Sequence, residues 1–180
     1  GELTMNKAEA ELTLAAESGA WPYDGKAHDN KSVKIYSGTL FTGDTVVAEA
    51  TGSVTDVEDT EEGNNPIAEG YKIMHGDKDV TDNYKIDTKA GTLTIIPLDA
   101  TITAESEKFV YDGASHSNSK YKVDGLINDD ELTATVEGSI TYPDEGTVAN
   151  KVTDYEFTTG KASNYKIKTV DGELKMENTT

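Results

Sequence analysis

The residues best suited to proton transfer near neutral pH are the three histidines, His28, His75 and His116. Two of them end nearly identical segments: YDGKAH covers residues 23–28 and YDGASH covers 111–116. Acid–base or nucleophilic catalysis needs a constellation of base, orienting group and nucleophile. None repeats with the histidines, no serine sits in a nucleophile elbow, and no glycine-rich phosphate loop is written. With 34 acidic residues in 180, paired carboxylates arise from composition alone. The chain reads as non-catalytic, and the two repeated histidines read as structural, each at a half-buried strand start.

Metal chemistry has one better candidate. Asp77, Asp79 and Asp82 lie close together in GDKDVTDN, and Asp56, Glu58, Asp59, Glu61 and Glu62 follow one another in DVEDTEEGNN. Calcium takes several oxygens around one point, and extracellular modules bind it weakly. Neither segment has EF-hand spacing. The later copy of the first segment, TTGKASN, has no carboxylate, so solvated acidic loops are the plainer reading and no cofactor is expected. The absence of cysteine excludes disulfides and thiolate metal sites. An internal Lys–Asn or Lys–Asp isopeptide bond would be another cross-link, but no pair stands out. NKS (30–32) and NTT (178–180) match the N-glycosylation pattern, which is short enough to arise by chance.

Charge narrows the partners. The net charge is -18, and all sixteen basic residues are lysine. Binding nucleic acid through counterion release needs a basic face, and an anionic membrane surface would repel this chain. Without arginine, bidentate recognition of phosphate is also lost. No stretch approaches the length of a transmembrane helix. A soluble monomer is expected.

These residues are positioned by a duplicated unit. AES recurs at 16–18 and 104–106, YDG at 23–25 and 111–113, TGSVT (51–55) as EGSIT (137–141), NYKI at 83–86 and 164–167, and GTLT (91–94) as GELK (172–175). Order is kept, and the first copy is longer around DVEDTEEGNNP and HGDKDVTDN. This is a tandem duplication, with module one at 11–97 and module two at 98–180. Residues 1–10, opening on GELTM, resemble GELKM at 172–176 and read as the tail of a preceding repeat or a lead-in strand.

Each module reads as strands, at 11–16, 32–37, 44–50 and 67–74, with counterparts at 100–105, 119–124, 131–137 and 151–158. NYKIDTKAGTLTII and its later copy alternate apolar and polar residues on both sides of a glycine turn, which predicts a β-hairpin. About seven short strands per module point to two small immunoglobulin-like β-sandwiches, all-β. A β-grasp-like module is the alternative, although no helix can be found for it. Tyr23 and Tyr111 close a strand, Asp and Gly make the turn, and the chain re-enters the sheet at the histidine.

The order YDG, GLINDDE, a GS-x-T segment, DVTDNYKI and GTLTI resembles the tandem MBG or YDG-type modules of large bacterial surface proteins, many from Gram-positive gut species. The resemblance covers 11–97 and 98–177. Module one departs from it with SGTLFTGDT in place of GLINDDE, keeping the turn at GD. The resemblance implies an extracellular, wall-associated or secreted array with spacing or adhesive roles, and it brings no catalytic residue. Its partners would be neighbouring repeats and a host glycoprotein or glycan, bound through loops where the copies differ, such as 56–66. An accessory module of a secreted enzyme is a further alternative. The short IPLDA (96–100) between copies predicts a stiff, extended pair.

Overall fold

The computed structural model describes residues 10–179, so the GELTM lead-in and the last residue of NTT lie outside the described residues. The chain divides into two compact units, Gly1–Ile96 and Pro97–Thr180. Unit one contains β1 (Ala10–Ala16), β2 (Gly19–Pro22), β3 (Val33–Ser37), β4 (Asp44–Val47), β5 (Lys72–His75), β6 (Lys78–Asp79), β7 (Tyr84–Lys89) and β8 (Leu93–Ile96). Unit two contains β9 (Leu98–Ala104), β10 (Glu107–Val110), β11 (Tyr121–Asp124), β12 (Glu131–Glu137), β13 (Val148–Thr159), β14 (Tyr165–Val170) and β15 (Gly172–Glu177). The fold is all-β. Helical structure among the described residues is confined to 3-10 turns of three residues, so the helix of a β-grasp is missing there.

The opening segment of each unit serves two sheets. β1 lies antiparallel to β3 and parallel to β7, and β9 lies in the same way between β11 and β14. After a short break the chain continues as β2 or β10, each parallel to the last strand of its unit, β8 or β15. In unit two the second sheet runs β10-β15-β13-β12. An antiparallel sandwich pattern does not anticipate these parallel pairings at the start of each unit. They require partners far apart in sequence, which only the last two strands supply.

The expected hairpins are not formed. β7 bonds to β1 while β8 bonds to β2, and β14 and β15 divide in the same way between β9 and β10. The turn between them carries the chain across the core from one sheet to the other. Alternation had marked the buried faces correctly: Tyr84, Leu93 and Ile95 are buried, as are Tyr165, Leu174 and Met176. It marks a face, however, and not the neighbour that completes the ladder.

The crossing sits directly on the break in the first strand. A Cβ on Gly91 would lie 2.2 Å from the Glu17 carbonyl oxygen, and one on Gly172 would lie 2.1 Å from that of Glu105. Only glycine allows that approach. The repeated AES segment now has a role: the hydroxyls of Ser18 and Ser106 accept the N–H groups of Thr92 and Glu173, each at 2.9 Å.

Between the sheets of unit one, Leu12, Leu14, Ile73 and Tyr84 form the buried centre, flanked by Val33, Val46 and Ile86. Unit two buries Ile140, Leu174 and Met176 against Phe109, Tyr111 and Val148, with Ile102 on the facing strand. Each fully buried leucine or isoleucine contributes about 1.5–3 kcal/mol, which suits a thin core filled with aliphatic side chains.

Candidate functional site

The YDG segments form the same small structure twice. Gly25 and Gly113 adopt positive φ of 78° and 83°, closing the turn after the tyrosine. Asp24 Oδ1 accepts the Lys26 N–H at 2.9 Å and lies 2.9 Å from His28 Nε2. Asp112 Oδ1 accepts the Ala114 N–H at 2.9 Å and lies 2.8 Å from His116 Nε2. The histidine hydrogen bond first, and the turn amide second, hold both carboxylates below the ordinary aspartate value of 3.8. Each imidazole stacks on the aromatic residue before the turn, Trp21 or Phe109, with centroids 5.0 Å apart. The His28 backbone bridges Val54 and that of His116 bridges Ile140, inside the repeated GS-x-T segment. The histidine thus fixes the turn to the GS-x-T segment.

A buried asparagine ties the break in the first strand to the rest of each unit. Asn65 Nδ2 donates to the carbonyls of Glu17 (2.8 Å) and Asn30 (2.9 Å), and its Oδ1 accepts the Gly52 N–H at 2.9 Å. Asn150 Nδ2 donates to Glu105 and Asn118 carbonyls, both at 2.8 Å, while its Oδ1 is buried without a hydrogen-bond partner. Sequence reading missed both residues. Each faces the crossing glycine of its unit, Gly91 or Gly172, across the sheet, a pairing that the local sequence does not signal.

The NYKI tyrosines anchor a third repeated contact. The Tyr84 hydroxyl donates to Asp44 Oδ2 at 2.5 Å and accepts the Phe41 N–H at 2.9 Å. Tyr165 bonds Asp130 Oδ2 at 2.5 Å and accepts the Ile127 N–H at 3.2 Å. Unit one alone adds a histidine, with His75 Nδ1 at 2.8 Å from Asp44 Oδ1. The Tyr84 hydroxyl first and His75 second hold Asp44 below its ordinary value, while burial first and Asp44 second raise Tyr84 above its own. A histidine oriented by a carboxylate is half of a catalytic triad. The described residues place no hydroxyl nucleophile on its other ring nitrogen.

The calcium candidates are not gathered around one point. Asp79 Oδ1 accepts the Thr81 N–H (2.9 Å) and hydroxyl (2.6 Å), bonds that hold it below its ordinary value and start the turn at Thr81–Asn83. Among the described residues no group of three or more His, Cys, Asp or Glu is placed to hold a metal ion, and Asp77 and Asp82 do not join Asp79 in one. The described lysines are all exposed, whereas attack on a buried asparagine requires a neutral amine beside it. In the 56–66 loop, Asp59 Oδ2 accepts the N–H groups of Thr55 and Asp56, Thr60 accepts that of Ile95, and Asn64 bonds both backbone groups of Leu93. Much of this loop's polar capacity is spent inside the unit. In NKS, Asn30 Oδ1 accepts the Ser32 N–H at 3.1 Å.

Unit two carries a feature that sequence reading passed over. Glu145 Oε2 accepts the N–H groups of Thr141 (2.8 Å) and Tyr142 (2.7 Å), the same frame that Asp59 makes in unit one. Its tip residue is Tyr142, 53% exposed, where unit one has Asp56. The rings of Tyr142 and Tyr111 lie 6.1 Å apart at 40°. Together with Pro143, Asp144 and Asn178 they line an open concavity of about 490 Å³. In unit one the corresponding Tyr23 is buried. The signal was YPDE standing where DVED stands, legible only once both are known to be one turn. Comparison of the chain with protein-family models, with curated proteins and with solved structures finds no match.

Proposed function

We propose that the chain is a pair of load-bearing spacer modules from an extracellular, wall-associated or secreted bacterial protein, non-catalytic, with neighbouring repeats as their first partners. The observation that carries this reading is the parallel pairing of the opening strands with the closing ones. Pulling on the two ends of a unit draws the first strand one way and the last strand the other. In a parallel pair those forces run along the ladder, so its hydrogen bonds are loaded together. An antiparallel pair pulled at its open end gives way one bond at a time. Forced unfolding is governed by the unfolding rate, which this geometry slows.

The test is single-molecule pulling on the 180-residue chain. Two separate unfolding events are expected. For unit two, handles at Glu131 and Thr159, which face each other at one end of the β12–β13 ladder, should unzip it at a much lower force. Equal forces in the two geometries would remove the mechanical argument.

An adhesion-related role is the second reading, and one observation favours it. A spacer does not need the exposed Tyr142 ring on a turn that unit one builds equally well with Asp56 at its tip. This moves the binding candidate from the 56–66 loop of the first copy to the second copy.

A further inference from the structure

We propose that the Tyr111–Tyr142 concavity of unit two receives a lysine or arginine side chain from a basic peptide segment of a partner protein. The proposal rests on the adhesion reading above and names the chemistry of its partner. Aromatic faces carry negative potential and attract cations. Here two rings meet at 40°, and the lining residues beside them are Pro143, Asp144 and Asn178, with no lysine. Asp144 makes no hydrogen bond or ion pair among the described residues. The adjacent Glu145 carboxylate accepts the Tyr142 and Thr141 N–H groups, which fixes a second negative charge in the same turn.

One exposed tyrosine of unit one already holds a cation. Tyr36, 60% exposed, carries the Lys89 ammonium 4.0 Å from its ring centroid. Tyr142 has similar exposure, and no described lysine lies over it. The frame beneath it does not need the ring, because Asp56 occupies the same tip in unit one. The field of a chain with net charge -18 also selects the partner. It draws basic segments in and repels sialylated, sulfated or phosphorylated ones. A concavity of about 490 Å³ is large enough for one long side chain and its flanking backbone.

The probe is a peptide of alternating glycine and lysine, titrated at physiological salt into the 180-residue chain with NMR-labelled tyrosine rings. Saturable shifts of the Tyr111 and Tyr142 resonances are expected, leaving Tyr36 unmoved. Tyr142→Asp should weaken binding about tenfold and Asp144→Asn several-fold, with the melting temperature of each variant preserved. Equal affinity in wild type and Tyr142→Asp would assign the binding to diffuse surface charge and overturn the proposal. Ring shifts produced by a neutral oligosaccharide and not by the peptide would overturn it in favour of a sugar. Any of these failures leaves the pulling behaviour of the modules intact, so the spacer reading is judged separately.

Discussion

The same path through the second sheet is built in two ways. In unit two, β13 runs unbroken over Val148–Thr159, bonded to β15 near its start and to β12 along most of its length. In unit one the path is fragmented: single bridges at Asn65 and Ile67 take the place of its first part, and only then comes β5. The backbone bonds missing beside β8 are replaced by side chains. Asn64 Oδ1 accepts the Leu93 N–H at 2.7 Å, its Nδ2 donates to the Leu93 carbonyl at 2.8 Å, and Thr60 Oγ1 accepts the Ile95 N–H at 2.9 Å. A side-chain amide offers the same donor and acceptor as a peptide group, so an asparagine can stand in for a strand residue. A duplicated module can therefore gain residues in mid-strand while its buried donors stay satisfied.

The strongest test of what the units share is at the crossing. Gly91→Ala and Gly172→Ala should each destabilise their own unit by about 3 kcal/mol or more, because the new methyl meets backbone that cannot step aside. Trp21 is the only tryptophan and lies in unit one, so its fluorescence in denaturant titrations reports that unit alone. Tyrosine signal and circular dichroism then resolve the other. If Gly172→Ala were neutral, the two crossings would not be equivalent.

Asn64→Ala should cost unit one about 2–4 kcal/mol, since it strands both polar groups of Leu93 inside the sheet. The matching position of unit two is Ala149, already alanine, because that stretch pairs through its backbone and needs no side chain there. Asn65→Ala and Asn150→Ala sharpen the contrast. Both remove two donated bonds, but Asn65 also loses an accepted one, whereas Asn150 already bears a buried oxygen with no partner. The first substitution should exceed the second by about 1 kcal/mol. Equal losses would mean that the Gly52 N–H contributes nothing.

The smallest expected difference is in acid. Asp24, Asp44 and Asp79 in unit one, and Asp112 and Glu145 in unit two, are held below their ordinary values by hydrogen bonds. A depressed carboxylate lends stability above its ordinary value and withdraws it as pH falls through the folded one. Below pH 3.8, the ordinary aspartate value, unit one should therefore lose stability faster than unit two. His75→Ala should narrow the gap, because that histidine supports Asp44 only in unit one. Thermal melts followed at Trp21 and at the tyrosines between pH 7 and pH 3 would read both.

The repeated segments made the building block legible in the sequence. The Asp–Gly turn, the histidine behind it and the buried faces of NYKI and GTLT follow from residue type and spacing alone. Pairing was hidden because alternation in NYKIDTKAGTLTII is the same for a hairpin and for a crossing between sheets. Ser18 and Gly91 decide between the two, and they act across a gap of many residues. Acidic composition also made the 56–66 stretch look like a free loop, masking Thr60 and Asn64 as parts of the sheet. Tyr142 was visible as a residue but not as a tip.

The parallel first strands have a consequence for how such a chain is made. Ala10–Ala15 find their parallel partners only once Tyr84–Lys89 exist, and Leu98–Thr103 wait in the same way for Tyr165–Val170. Contacts so distant in sequence form late and slowly. A chain delivered amino-terminus first thus keeps each unit open until nearly its last residues arrive, and then closes it whole. A copy cut short before its last two strands would leave β1 and β2 with bare edges, ready to take the closing strands of a neighbour. In a run of near-identical repeats, the arrival order of those strands decides which opening is closed by which ending.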